Sequence, residues 1–294
     1  MPNYTTRMNA FLPALVNKIV YTEVRTKAFQ NPIARFKKAS VPFGFHGEFI
    51  HTNPAELKDY TRPNAPAFTN PFSAENPVVF ADYLEVNEDK IASVLLSEDY
   101  LNDAFSSWEK FDEMVQAIIN SLYSGNQAWE YSIMKDTLTT AYENNNIVKL
   151  PIVNITDEAS GAEAIIAIKN AVEYMRVPSE DYNKMAGAVS FVEPENMVII
   201  MTADFKNRMD VLTRAGAYNV NNLDFLPEIV VVDKLDDAGE IKAVVMDEAF
   251  LQIRDKKFSV DSIFNPADWS LNYWLRRRTM RGVIRFANAV AFHI

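Results

Sequence analysis

Five arginines within ten residues, Arg276, Arg277, Arg278, Arg281 and Arg285, form the densest cationic group in the 294-residue chain. Guanidinium groups present planar forks of donors that match phosphate and carboxylate oxygens. The cluster can therefore bind phosphate, or pair with the acidic surface of a neighbouring subunit. A second group is acidic: Asp233, Asp236, Asp237, Asp247 and Glu248 surround what reads as a hairpin. Carboxylates so gathered can hold two metal ions for hydrolysis, but a solvated turn accounts for them more simply. The three histidines are His46, His51 and His293. His46 and His51 stand five apart, whereas a helical zinc-protease motif needs four. There is no cysteine, which excludes thiolate chemistry, disulfides and Cys-zinc sites. The eight glycines are scattered, so neither a Gly-x-Ser-x-Gly elbow nor a phosphate loop can be built from them. The sequence thus assigns no catalytic, cofactor-binding or metal-ligating residue, and no cofactor.

The elements that would position these groups follow from periodicity. Trp108, Phe111, Met114, Val115, Ile118, Ile119 and Leu122 recur at steps of three and four, which marks one face of a helix. Ser106 or Ser107 can cap it, and Glu109, Asp112 and Glu113 suit its positive end. The pattern resumes at Trp129, Ile133, Met134 and Leu138. Gly125 interrupts it, at a cost of about 1 kcal/mol in a helix interior. Either two core helices meet near Ser124 and Gly125, or one helix of about 50 Å forms a structural spine. Glu88–Phe105 reads as one or two short helices leading into it.

Beyond Asn146 the pattern alternates strands with helices. Strand-like runs occur at 149–155, 188–192, 196–202, 228–233, 241–247 and 249–254. The run Met197-Val-Ile-Ile-Met-Thr is of the type buried on both faces. Amphipathic helices are expected from Thr156 to about Val177 and over Ala203–Leu212. Asp236–Glu240 is a turn in which Gly239 is free to adopt positive φ. Phe286, Val290 and Phe292 point to a final strand that is paired, since free chain ends fray.

Charge and proline content are uneven. The net charge is −10, yet residues 1–46 hold seven Lys or Arg against Glu23 alone, leaving −16 on the other 248. A basic arm on an acidic body suits contact with nucleic acid or with an acidic neighbour, or is a solvated basic helix without a partner. A short helix is expected near Leu12–Ala28, broken at Asn31-Pro32. Phe29, Ile33 and Phe36 then need a covering surface, which another subunit can supply. Six of the 14 prolines fall in 41–77. A loop of that length and composition tends to be functional or intermolecular, and a two-stranded flap over Val41–Thr52 and Val78–Val86 that packs on a neighbour fits it. No apolar run approaches the roughly 18 residues that span a bilayer, and no signal peptide is visible at the first residue. A soluble protein made in the cytoplasm is expected.

The tail Trp274-Leu-Arg-Arg-Arg-Thr-Met-Arg-Gly, followed by Arg285-Phe-Ala-Asn-Ala-Val-Ala-Phe, resembles the C-terminal end of major capsid proteins of tailed bacteriophages. More distantly, it is similar to those of small short-tailed phages of Gram-positive hosts. The resemblance implies an α+β fold of the Hong Kong 97 type: an N-terminal arm (1–40), an extended loop (41–87), a peripheral domain with its spine helix (88–145), a compact axial α/β domain (146–255) and return strands of the peripheral domain (256–294). It further implies a major head protein, with no active site, that assembles with itself as hexamers and pentamers. The resulting icosahedral or prolate shell would enclose double-stranded DNA by non-specific contact, as a virion component made in the host bacterial cytoplasm without a membrane partner. Some relatives cross-link a lysine to an asparagine; no such pair is identified here. The presumed loop begins near Val41, which leaves no room for a leading scaffolding segment. A separate scaffolding protein, or none, is then implied, together with a portal protein.

Three other readings compete with the phage shell. One is a nanocompartment shell of the same fold, enclosing an enzyme. Another is an α/β enzyme built on 146–255, against which the missing motifs argue. The last is a tail or connector protein that forms a ring.

Overall fold

The computed structural model of the chain describes residues 29–42, 46–57, 59, 76–97, 108–216, 227–267 and 270–294. The expected arm helix, most of the proline-rich stretch, and the side chains of Trp108, Phe111, Met114, Val115, Ile118 and Ile119 lie outside the described set. The strands in chain order are β1 (Lys37–Lys38), β2 (Gly47–Thr52), β3 (Val79–Leu84), β4 (Val86–Ser97), β5 (Val148–Pro151), β6 (Met197–Thr202), β7 (Glu228–Val232), β8 (Ile241–Asp247), β9 (Leu251–Asn265), β10 (Ser270–Val283) and β11 (Ala289–His293). The helices are α1 (Trp108–Glu143), α2 (Glu158–Tyr174) and α3 (Ala203–Gly216).

Two compact units emerge. The first comprises Met1–Gly44, Val86–Ile133 and Arg254–Met280; the second comprises Phe45–Glu85, Met134–Ile253 and Arg281–Ile294. The first unit holds a four-stranded sheet of order β1-β9-β10-β4. β4 runs antiparallel to β10, from Ser97 opposite Ser270 to Val86 opposite Met280. This corrects the helix expected over Glu88–Phe105 as far as Ser97. The local sequence Val86-Asn-Glu-Asp-Lys suits a helix, but a long partner strand offers twelve residues a ladder of hydrogen bonds, and tertiary pairing overrides propensity. For two residues the arm is also corrected: Ile33 and Phe36 are fully buried within the chain itself, whereas Phe29 sets its ring edge-on to Tyr131 at 5.8 Å and stays 41 % exposed.

α1 is one uninterrupted helix of 36 residues, roughly 54 Å at 1.5 Å per residue. Gly125 sits inside it with open space where a Cβ would be, so it marks no break. Of the two readings of this stretch, the single helix holds.

The second unit is built on a five-stranded sheet of order β5-β11-β8-β6-β7. β6 is buried along its whole length, as its unbroken apolar run predicts. α2 and α3 cover one face: Ile165, Ile168 and Phe205 pack with Ile199, Val245 and Val290 in one core. Burial of each such side chain contributes about 1.5–3 kcal/mol. α2 starts at a capping box, in which the Asp157 carboxylate accepts from the Ser160 backbone N–H at 2.8 Å while Asp157 N–H donates to Ser160 Oγ at 3.0 Å. β11 lies between β5 and β8, parallel to one and antiparallel to the other. The final strand is therefore paired, and it belongs to this sheet, apart from β9 and β10.

The expected hairpin around Asp236 is not formed. β6 stands between β7 and β8, parallel to the first and antiparallel to the second. Gly239 does take φ 72° in the turn that connects them. The short strand expected at 188–192 is reduced to a single bridge between Ser179 and Ser190.

Candidate functional site and assembly surfaces

Each arginine of the cluster has an acidic partner within the chain. Arg277 lies on β10 and is 1 % exposed. Its Nε donates to Asp255 Oδ1 at 2.7 Å and to Thr279 Oγ1 at 3.0 Å. Its Nη1 donates to Asn126 Oδ1 at 3.0 Å and to the Glu130 carboxylate. The guanidinium carbon sits 4.9 Å from the centre of the Trp129 ring. Lys37 Nζ closes the group, 2.7 Å from Glu130 and 2.8 Å from Asp255. Two cations and two carboxylates thus balance inside the first unit, as buried charge requires.

The remaining arginines are also paired. Arg276 and Arg278 both reach Asp89, at 3.4 and 3.2 Å. Arg281 bonds Asp136. Arg285 bonds Asp82 with its Nη2 at 2.8 Å, and this hydrogen bond holds the guanidinium pKa above its ordinary value. Besides these bonds, Arg276, Arg278 and Arg285 keep 50 %, 39 % and 46 % of their side chains exposed. Each of the five arginines thus faces an acid of its own chain, on β3, β4, β9 or α1.

Some of these acids were legible as anomalies. Glu130 falls on the same helical face as Ile133 and Met134, where a charge demands a partner. Asp82 shares the β3 face of Phe80 and Leu84 by the two-residue period. Which cation answers each carboxylate had no signal in the sequence.

Four of the five acids in the acidic group have bonds within the chain. Asp233 pairs with Lys135 at 2.6 Å, and Asp237 with Lys234 at 2.5 Å, which holds the Asp237 carboxyl below its usual range. Asp236 accepts from the backbone N–H groups of Glu240 and Ile241, and Asp247 from that of Ala249. Among the described residues, no group of three potential ligands can hold a metal ion. The histidines stand apart: His46 is 3.8 Å from Glu85, His51 contacts the Val189 carbonyl oxygen at 2.9 Å, and His293 meets Tyr142 edge-on.

Among the described residues, large apolar side chains also stay open to solvent. In β2 and β3 the register sets Glu48 against Tyr83, Ile50 against Ala81 and Thr52 against Val79. That face is exposed, Ile50 at 63 % and Tyr83 at 64 %. In the first unit, exposure spreads over the far part of the four-stranded sheet. Ile91, Leu95, Phe258, Ile263, Phe264 and Trp274 are all open there, Ile263 at 62 %. Surface of this kind marks sites of protein contact. Among the described residues no helix is long and apolar enough to cross a membrane.

The model of the Phi29-like phage major capsid protein family matches residues 1–293. The chain belongs to this family. It is 30 % identical over 293 residues to the major capsid protein of Bacillus phage GA-1, and 29 % identical over 291 residues to that of Bacillus phage PZA. These alignments cover 98 % of the chain but 61 % and 64 % of the two relatives, so the chain spans under two thirds of their length. Among solved structures, the capsid of Staphylococcus phage Andhra matches with a TM-score of 0.74 at 12 % identity, over 94 % of this chain and 87 % of the other. The fold is therefore that of Hong Kong 97-like phage capsid proteins, as the C-terminal resemblance implies. The matched relatives are phage capsid proteins, and the nanocompartment alternative is not favoured.

Proposed function

We propose that the chain is a major capsid protein that assembles with itself, as hexamers and pentamers, into a phage head shell around double-stranded DNA. Family membership over residues 1–293 carries this reading. The exposed apolar ends of β4, β9 and β10 agree with it, because a shell subunit needs surfaces for several neighbours. On this reading residues 1–40 are the arm and 41–87 the extended loop. Residues 88–145 with 256–283 form the peripheral domain, and 146–255 with β11 the axial domain. The protein works as a structural component and not as an enzyme. It is made in the host cytoplasm and meets a portal and, where one is used, a scaffolding protein. Its acidic body suits a wall past which DNA moves, since dense cationic contacts would bind phosphates tightly without regard to sequence.

Light scattering and negative-stain electron microscopy of the purified chain test the proposal. Closed particles tens of nanometres across, or their appearance once infected-cell lysate is added, are the expected result. A chain that stays monomeric or dimeric under both conditions overturns it.

A further inference from the structure

The ribbon of β2 and β3 has two unlike faces. Its outer face is the exposed one described above. Its inner face is fastened to the rest of the second unit along a line of contacts. A two-stranded ribbon alone is marginal in water, so these contacts decide where it points.

Asp82 lies at the centre. Its side chain is 10 % exposed. One carboxylate oxygen accepts from the Arg285 backbone N–H at 2.8 Å, and the other from Arg285 Nη2 at 2.8 Å. On one side of it, Leu84 rests against Gly282, where an added Cβ would overlap Leu84 Cδ2. On the other, His51 lies over the Phe286 ring at 5.3 Å and 20°. Beyond the end of β2, Asn53 donates to the Gly187 carbonyl at 2.7 Å and accepts from the Val189 N–H at 2.9 Å.

We propose that Asp82 and Arg285 are positioning residues for assembly, holding the ribbon in the one register that turns its outer face towards a second copy of the chain. This rests on the shell reading above. The reason is chemical. A carboxylate at this depth is stable only against its own cation and N–H donor. A one-residue slip would turn Asp82 to the outer face and leave Arg285 without its acid. A two-residue slip would place Phe80 or Leu84 against the guanidinium.

Asp82→Asn, Arg285→Lys and Gly282→Ala in the full chain test the proposal by hydrogen exchange and particle yield. Asp82→Asn removes the charge at constant shape. Gly282→Ala displaces Leu84 and leaves the ion pair whole. Expected for both is exchange faster by about tenfold at the amides of 47–52 and 79–84, with β6 and β8 unchanged, and a loss of regular particles. If Asp82→Asn does not fold, Arg285→Lys replaces it, keeping the charge and the backbone N–H but losing the fork. Ribbon exchange equal to that of the parent chain overturns the clamp. Faster exchange with normal particle yield overturns its role in assembly. Should the parent chain form no particles, alone or with infected-cell lysate, the shell reading fails, while the exchange data still decide whether the clamp holds the ribbon.

Discussion

The two main sheets are made of similar residues and end in opposite conditions. In the five-stranded sheet β6 is buried at every position and β11 at four of its five. In the four-stranded sheet β9 is buried at its first three residues and at Asp255, and is open at nearly every position from Lys257 on. The contrast separates two jobs. One sheet completes its core with helices of the same chain. The other leaves Phe258 and Ile263 exposed, where a lone domain would gain nothing from keeping them.

The largest expected effect lies in the closed sheet. Ile199→Asp places an unpaired charge where the side chain is fully buried, and no folded protein should result. A cooperative melting curve for that variant would show that the core is not where the contrast puts it.

Next comes the buried charge group. Arg277→Met should cost about 3–5 kcal/mol by urea unfolding, because Glu130 and Asp255 lose their main cation. Arg278→Met, one residue on at a half-exposed site, should cost under about 1 kcal/mol. Equal costs would break the distinction between the two neighbours.

Ile263→Asp inverts the outcome of Ile199→Asp. At an exposed position it should change stability by less than about 0.5 kcal/mol, yet abolish particles seen by light scattering. A drop in stability would mean that the open sheet is closed within the chain after all.

The smallest effect sharpens the closed sheet's helix. Asp157→Ala should lower the melting temperature modestly at pH 7. The hydrogen bond from the Ser160 N–H holds the Asp157 carboxyl below its ordinary value. Its stabilisation is therefore full above the unfolded-state value of about 4 and is lost as pH falls through the lower, folded-state value. The gap between the parent chain and the variant should close in strong acid, and a gap that persists there would assign the effect to something other than the charged cap.

Much of the architecture was legible because it is local. The period of three and four marks α1, the aspartate before Glu158 marks the start of α2, and the unbroken apolar run of β6 announces burial on both faces. Gly239 was readable as a positive-φ turn, because a connection between two strands there needs one. The tail motif carried the family resemblance. These features depend on neighbours within a few residues, and the sequence by itself determined them.

Pairing was decided elsewhere. Val86–Ser97 became a strand because β10 lay ready to bond it across some 180 residues of chain. β7 and β8 took β6 between them instead of each other, since a strand buried on both faces needs a ladder on both edges. The arginines looked available for phosphate while their acids were scattered at 82, 89, 130, 136 and 255. Only the tertiary structure brought each cation to a carboxylate, because the cost of burying charge is settled by whatever stands within about 3 Å in space and not by what is adjacent in sequence.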